Sequence, residues 1–444
     1  MPAASVVELQ TLSAPSLGPV PRPSRAVVIA AFALALLAIW WHGPLLDLHI
    51  YRLGGQSVRH GGDDLYQMRD QATQLPFTYP PFAALLFAPL AVLAEPAAAV
   101  LMTVLTVLAA IRLAGLVVGQ FELSVPRQTR MAGVVLIALL ASEPVISTVL
   151  FGQVNLILLA LIAQAWFRPY GRWALIGLGV AAGIKLTPAI FILGLFARGR
   201  WRDGLRASVA AAATLLIGAI YLGRPTHTFF LGGQGFSDTR IGGTAFISNQ
   251  SLNGVLWRWS GFGGQRLLWI ILAVAVVATS MWTARILHAA GQSMLAFCVV
   301  ALAGLMASPV SWTHHWVVAV PLSAALIQPF LTNLPRRPRG VPAAPRTVMA
   351  RIRPYWRPVL AAGWLGISCS WAIWMVPRGN DGEYHQTFVD FLVGNAYLEL
   401  AIVTVAALAG YAAHLRAADR RAAGSVVEGA DDDREKDSSA AALF

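Results

Sequence analysis

Long apolar runs joined by short polar connections dominate the chain, at 26–43, 82–118, 131–150, 154–167, 173–197, 205–222, 266–287, 294–307, 316–331, 359–376 and 391–415. Runs of roughly 18 apolar residues match a hydrocarbon core about 30 Å thick. The pattern therefore predicts an all-α, polytopic membrane protein with about 12 transmembrane helices. Glu95-Pro96 interrupts the run at 82–118 and suggests a tight reversal between two short spans. Three polar stretches stand out, at 44–79, 223–265 and 308–315. In the first, DLHIYRLGG reads as a short amphipathic helical turn in the interface, ended by Gly pairs at 54–55 and 61–62. Pro80-Pro81 then opens the next run, since proline is tolerated in a first helical turn.

Charge orients this pattern. Arg22 and Arg25 precede the first run, and seven arginines lie in the linker 335–358, so both segments are expected in the cytoplasm. The three polar stretches then fall outside, and a membrane domain over 26–415 sits between a cytoplasmic segment 1–25 and a tail 416–444. That tail is rich in Ala and acidic residues (DDDREKD) and is expected to be disordered in the cytoplasm. Residues 80–197 admit two arrangements. Helix length favours a single crossing for 173–197, which leaves Arg127, Arg130, Arg168 and Arg172 outside, against the charge rule. Alternatively the first short run after Pro80 is re-entrant, 173–197 is a short hairpin, and those arginines move inside. The first run is read as a retained helix, because no obvious cleavage site follows it.

Composition sharpens the reading. The 444 residues are 57% hydrophobic and 12% charged, with a mean hydropathy of +0.62. A soluble domain would carry about twice that share of charge. The net charge of +12 reflects arginines in the connections, which is a topology signal and not a nucleic-acid footprint. Cys298 and Cys369 both lie in apolar runs, so no disulfide framework is indicated. There is no Walker sequence, no zinc spacing and no Gly-rich nucleotide loop. No metal or cofactor is implied.

A few polar residues are placed where polarity is costly. Asp47 lies about one turn beyond the first run, where it either pairs with Arg52 or a loop arginine or acts as a base. Of the 33 basic residues only Lys185 and Lys436 are lysines, and Lys185 sits inside an apolar run beside Gly183 and Pro188. An ionisable group there is a functional candidate. A helix break at that point would free backbone N–H groups beside the ammonium, and together these suit a phosphate. His314 and His315 flank an expected outer boundary with Trp312 and Trp316, and adjacent ring positions on a helix diverge by about 100°. Gln153, Asn155, Asn249 and Gln250 are amides at expected helix ends, where capping is the common role. Tyr79, Trp257 and Trp312 fit an aromatic belt or a sugar platform. Asp63-Asp64 reads as a solvated loop pair.

Together the motifs DLHIY (47–51), LPFTYPPFA (75–83), FGQVN (151–155), GIKLTP (183–188), SNQS (248–251) and SPVSWTHHW (308–316) resemble glycosyltransferase family 87. These are the actinobacterial polyprenyl-phosphate-mannose-dependent alpha-(1,2)-mannosyltransferases with the multi-span C-type fold. The resemblance covers about 40–330. It implies an inverting transfer of mannose from polyprenyl-phosphate-mannose to a mannosylated glycolipid or lipoglycan, on the extracytoplasmic side of the plasma membrane, with no nucleotide sugar. It implies Asp47 as general base and functional roles for His314 and His315. Lys185, Gln153 and Asn155 are then candidates for the donor phosphate, and His49, Tyr51, Tyr79, Asn249, Gln250 and Trp312 for sugar or acceptor. A transferase using another polyprenyl-phosphate sugar such as arabinose, or a transporter of lipid-linked saccharides, are the competing readings; the transporter predicts inverted repeats, and none is visible.

Overall fold

The structure, a computed structural model, describes residues 19–43, 45–168, 173–236, 243–261, 265–331 and 355–441. Most of the linker 335–358 and the N-terminal residues up to 18 lie outside the described residues. Within them the protein is all-α, and the only β pairings are two isolated bridges, Arg69–Pro76 and Asn249–Trp312. Five helices are long and apolar enough to cross a membrane, and a sixth crossing arises if one bent pair is a single span. The protein is a multi-pass membrane protein.

Helix α1 (Arg25–His42) starts at Ser24, whose hydroxyl accepts from the Val27 amide. The chain just before it, at Pro21, packs on Gly115 near the end of α4 (Glu95–Val118), where any larger residue would strike the Pro21 carbonyl. The first and fourth helices are thus antiparallel, with the start of one beside the end of the other.

Between them lie α2 (Leu46–Arg59) and α3 (Pro81–Val92), packed against each other in opposite directions. Gly55 of α2 is the reason they can approach, because a Cβ there would come 2.7 Å from the Phe87 carbonyl oxygen. Arg52 donates to the carbonyls of Leu90 (2.8 Å) and Leu93 (2.7 Å), and His49 Nε2 meets Glu95 Oε1 at 2.9 Å. Glu95 therefore stays beside α2, and α3 doubles back without separating them. The expected pair of spans within 82–118 is not what forms: α3 runs back along α2 and leaves Glu95 beside it, and α4 carries the rest of the run.

Helix α5 (Val125–Ala141) bends by 67° into α6 (Glu143–Phe151). Ser142 is extended there, and Glu143-Pro144 starts a new helix because proline fits its first turn. Helix α7 (Asn155–Phe167) returns to the first end. Helices α8 (Ala174–Ile184) and α9 (Ala189–Ala197) form a hairpin with residues 185–188 at its tip. Beyond α9, Arg198 lies over the Trp166 ring near the end of α7, 3.7 Å from its centroid. So 173–197 is a hairpin, against the preference drawn from length. Helix α10 (Trp201–Tyr221) runs parallel to α8, against Gly179 and Gly183.

After α11 (Gly223–Phe230) and α12 (Leu252–Ser260), α13 (Arg266–Ala289) lies on the outside of the bundle, while α14 (Ser293–Ala307) is buried along nearly its whole length. Helix α15 (Ala319–Leu331) pairs with α16 (Trp356–Ser370), and α17 (Phe388–Gly394) leads to α18 (Ala396–Ala441). This last helix runs on through the described residues to Ala441.

Candidate active site

A cavity of about 430 Å³ opens where α2, the 75–80 segment, the α8–α9 tip and the 308–315 turn converge. Asp47, Lys185, His314 and His315 all line it, with Tyr79 and Trp312 on its walls. These residues come from parts of the chain more than a hundred positions apart, so only the fold brings them together.

Asp47 occupies the first turn of α2, where the helix dipole favours a negative charge. Gln153 and Tyr79 lie beside its carboxylate and favour its charged form. Gln153 is itself fixed: its Nε2 donates to the Tyr79 hydroxyl (2.9 Å), and its Oε1 accepts from the Tyr51 hydroxyl (2.8 Å). The Gly152 turn just before it is left-handed, at φ 69°, as glycine allows. Burial pushes the Asp47 carboxyl up to about 6, against the opposing pull of the Lys185 charge and of the polar groups of Gln153 and Tyr79. A carboxylate held this way is ionised near neutral pH and basic enough to accept a proton.

Lys185 ends α8, where the negative end of the helix dipole suits an ammonium. Its Nζ donates to Asn155 Oδ1 (3.0 Å) and to His315 Nε2 (2.9 Å), which places the His315 proton on Nδ1. An ammonium has three N–H groups, so one remains for a ligand. At the break, the amides of Leu186 and Thr187 have no hydrogen-bond acceptor among the described residues, and both residues line the cavity beside Lys185. The amides of Ala189, Ile190 and Phe191 bond back to the carbonyls of Leu186, Thr187 and Pro188, in a tight turn. The tip therefore offers the Lys185 cation together with the amides of Leu186 and Thr187.

The histidines divide their work. The His315 ring faces Lys185, while the His314 ring packs edge-on against Phe151 and its Nε2 has no partner among the described residues. His314 is 6% exposed and borders the cavity. Burial, and then the Lys185 charge, hold both imidazoles well below the usual histidine range, so they are neutral. The carbonyl of His314 is gripped from two helices, by Thr148 Oγ1 (3.1 Å) and Asn155 Nδ2 (2.9 Å).

Several sequence candidates lie away from the cavity. His49 points to the opposite face of α2, between Glu95 and Asp70. Tyr51 is fully buried behind Gln153, and it stacks on Phe87. Asn249 and Gln250 are buried and brace the histidine turn from below. Asn249 Oδ1 accepts from the Ser311 amide (2.9 Å), and the Gln250 amide donates to the Ser311 carbonyl (2.8 Å). Gln153 and Asn155 are both near the site, but Gln153 serves Asp47 and Asn155 serves Lys185. Asp63 meets Arg224 on the surface, outside the cavity lining. Glu143, Thr148 and Thr313 escaped the sequence reading, although a carboxylate inside an apolar run was a usable signal for Glu143.

Residues 77–309 match the model of glycosyltransferase family 87. A Mycobacterium tuberculosis (strain ATCC 25618 / H37Rv) protein described as a polyprenol-phosphate-mannose-dependent alpha-(1-2)-phosphatidylinositol mannoside mannosyltransferase is 35% identical over 317 residues, 66% of this chain and 73% of its own. A Mycolicibacterium smegmatis (strain ATCC 700084 / mc(2)155) protein is 36% identical over 302 residues, 65% of this chain and 71% of its own. It is described as a polyprenol-phosphate-mannose-dependent alpha-(1-2)-phosphatidylinositol pentamannoside mannosyltransferase. No solved structure matches the chain. With a family match over more than half of its length and relatives this similar over most of theirs, the chain is a glycosyltransferase and belongs to glycosyltransferase family 87.

Proposed function

We propose that this protein is an inverting mannosyltransferase that moves mannose from polyprenyl-phosphate-mannose to a phosphatidylinositol mannoside, forming an alpha-(1,2) linkage. The observation that carries the reading is one cavity presenting a proton acceptor, Asp47, and a cation, Lys185. An inverting transfer from a lipid phosphate requires both. The relatives' names supply the donor and the acceptor class.

In this reading the acceptor 2-hydroxyl attacks the anomeric carbon as Asp47 takes its proton. The bond to the phosphate oxygen breaks on the opposite face, and polyprenyl phosphate leaves with the bonding pair. Lys185, steadied by Asn155 and His315, meets the developing charge. His314, which borders the cavity, contacts the sugar or its phosphate, and Trp312 and Tyr79 form the wall against the ring. His49, Tyr51, Asn249 and Gln250 act from behind, holding the elements that carry those groups.

The membrane arrangement goes with it. Counting α1, α4, the bent α5–α6 pair, α7, α8, α9, α10, α13, α14, α15, α16 and α18 as crossings gives a C-type fold with twelve, and puts Arg127, Arg130, Arg168 and Arg198 on the same side as Arg25. The cavity then opens outside the plasma membrane, where lipid-linked sugars are the available donors.

The test supplies membranes with radiolabelled polyprenyl-phosphate mannose and phosphatidylinositol mannosides. Asp47→Asn is expected to lower kcat at least about 100-fold, and transfer undiminished in that variant removes the assignment.

A further inference from the structure

Glu143 is a carboxylate with 1% of its surface exposed, at the 67° bend between α5 and α6. An acid in a first helical turn needs only the dipole and water. Among the described residues no cation lies beside this one, and four hydrogen bonds hold it. Ser147 donates to Oε1 from its own helix (2.9 Å), as do Thr313 (2.8 Å) and the Trp374 indole (3.3 Å), while Tyr397 donates to Oε2 (3.1 Å). Removing such a group leaves several buried donors without an acceptor, which is costly.

The partners explain the cost. Thr313 immediately precedes His314, and its amide is also anchored, donating to Ser248 Oγ (3.2 Å). Trp374 and Tyr397 belong to the C-terminal part of the chain, beyond the 77–309 span that matches the family model. One carboxylate therefore ties the turn that carries the histidines both to α6 and to the C-terminal helices. The same α6 grips the His314 carbonyl through Thr148, one turn further along. With α6 holding the turn at two points, His314 has a fixed place on the cavity wall.

We infer that Glu143 is a positioning residue for the His314–His315 turn, acting through Thr313, and that it builds the C-terminal helices into the active site. The inference rests on the proposed transferase reading. Its test must separate the two and must separate positioning from simple stability.

Thr313→Val keeps the shape of the side chain and deletes its donor. It is expected to lower kcat by about tenfold to 100-fold, the effect of a small misplacement of a reacting group, with donor KM within about twofold of wild type. Glu143→Ala is expected to lose at least as much. Glu143→Gln keeps Oε1 as acceptor, and its amide can donate to the Tyr397 hydroxyl, so it restores most of the rate lost in the alanine variant. The double variant Glu143→Ala/Thr313→Val is no slower than Glu143→Ala alone, because one linkage is removed once. The acid limb of the pH profile stays where Asp47 sets it. If Thr313→Val turns over at the wild-type rate, or its loss multiplies with that of Glu143→Ala, the inference is overturned. If Glu143→Ala does not fold, Thr313→Val and the glutamine variant decide alone: full rate in the first, or an equal loss of folding in the second, overturns it. Wild-type protein that transfers no mannose overturns the transferase reading instead.

Discussion

The raised Asp47 carboxyl makes a prediction about pH that can be worked from the site. Burial moves it from 3.8 to about 6 even though Lys185, Gln153 and Tyr79 all pull the other way. That difference amounts to about 3 kcal/mol in favour of the protonated form. A base works only when ionised, so kcat/KM is expected to fall by about tenfold between pH 7 and pH 5. A carboxyl at 3.8 would leave the rate unchanged over that range. The sign of the linked stability is opposite. The folded carboxyl titrates above the unfolded one, so the folded state binds the extra proton between about pH 4 and 6 and Asp47 favours folding at the acid end. A rate lost there therefore does not come from unfolding driven by this group. The assay is initial-rate transfer of labelled mannose in membranes from pH 5 to 8, with thermal stability followed in parallel. A rate that stays flat down to pH 5 in a stable protein refutes the reasoning.

Two further outcomes follow from the geometry. Lys185→Met is expected to lower kcat/KM for the lipid donor by about tenfold to 100-fold through loss of a charge-assisted contact, and to move the acid limb above 6, because the Lys185 charge lowers the Asp47 value; near-normal transfer and donor affinity would remove Lys185 from the phosphate. Gly55→Ala places a Cβ 2.7 Å from the Phe87 carbonyl oxygen, so α2 and α3 must separate, at a cost of about 1–3 kcal/mol; thermal unfolding in detergent measures this, and an unshifted midpoint counts against the packing described.

Particular residues show how much of the site was legible. Asp47 and Lys185 stood out because each is an ionisable group in or beside apolar sequence, where it is expensive to keep. The pairing of Lys185 with His315 and Asn155 was invisible, since the three lie in separate segments. The histidines could be found by motif but not told apart. The 3₁₀ turn at Thr313–His315 replaces the helix assumed for them, and it turns one ring to Lys185 and leaves the other edge-on to Phe151. His49 shares a motif with Asp47, yet two residues along a helix is a rotation of about 200°, and it faces Glu95.

The sequence alone determined the class of the protein, because apolar runs of bilayer length and arginine-rich connections encode a multi-pass helical protein residue by residue. Local pattern could not decide whether 82–118 and 173–197 cross once, twice or not at all. Those choices depend on what each short helix packs against, and in the structure Gly55 lies against Phe87 and Arg198 against Trp166. The cavity is a tertiary product for the same reason: its charge pair, its histidine turn and the buried Glu143 that holds the turn meet only when helices distant in sequence share one core.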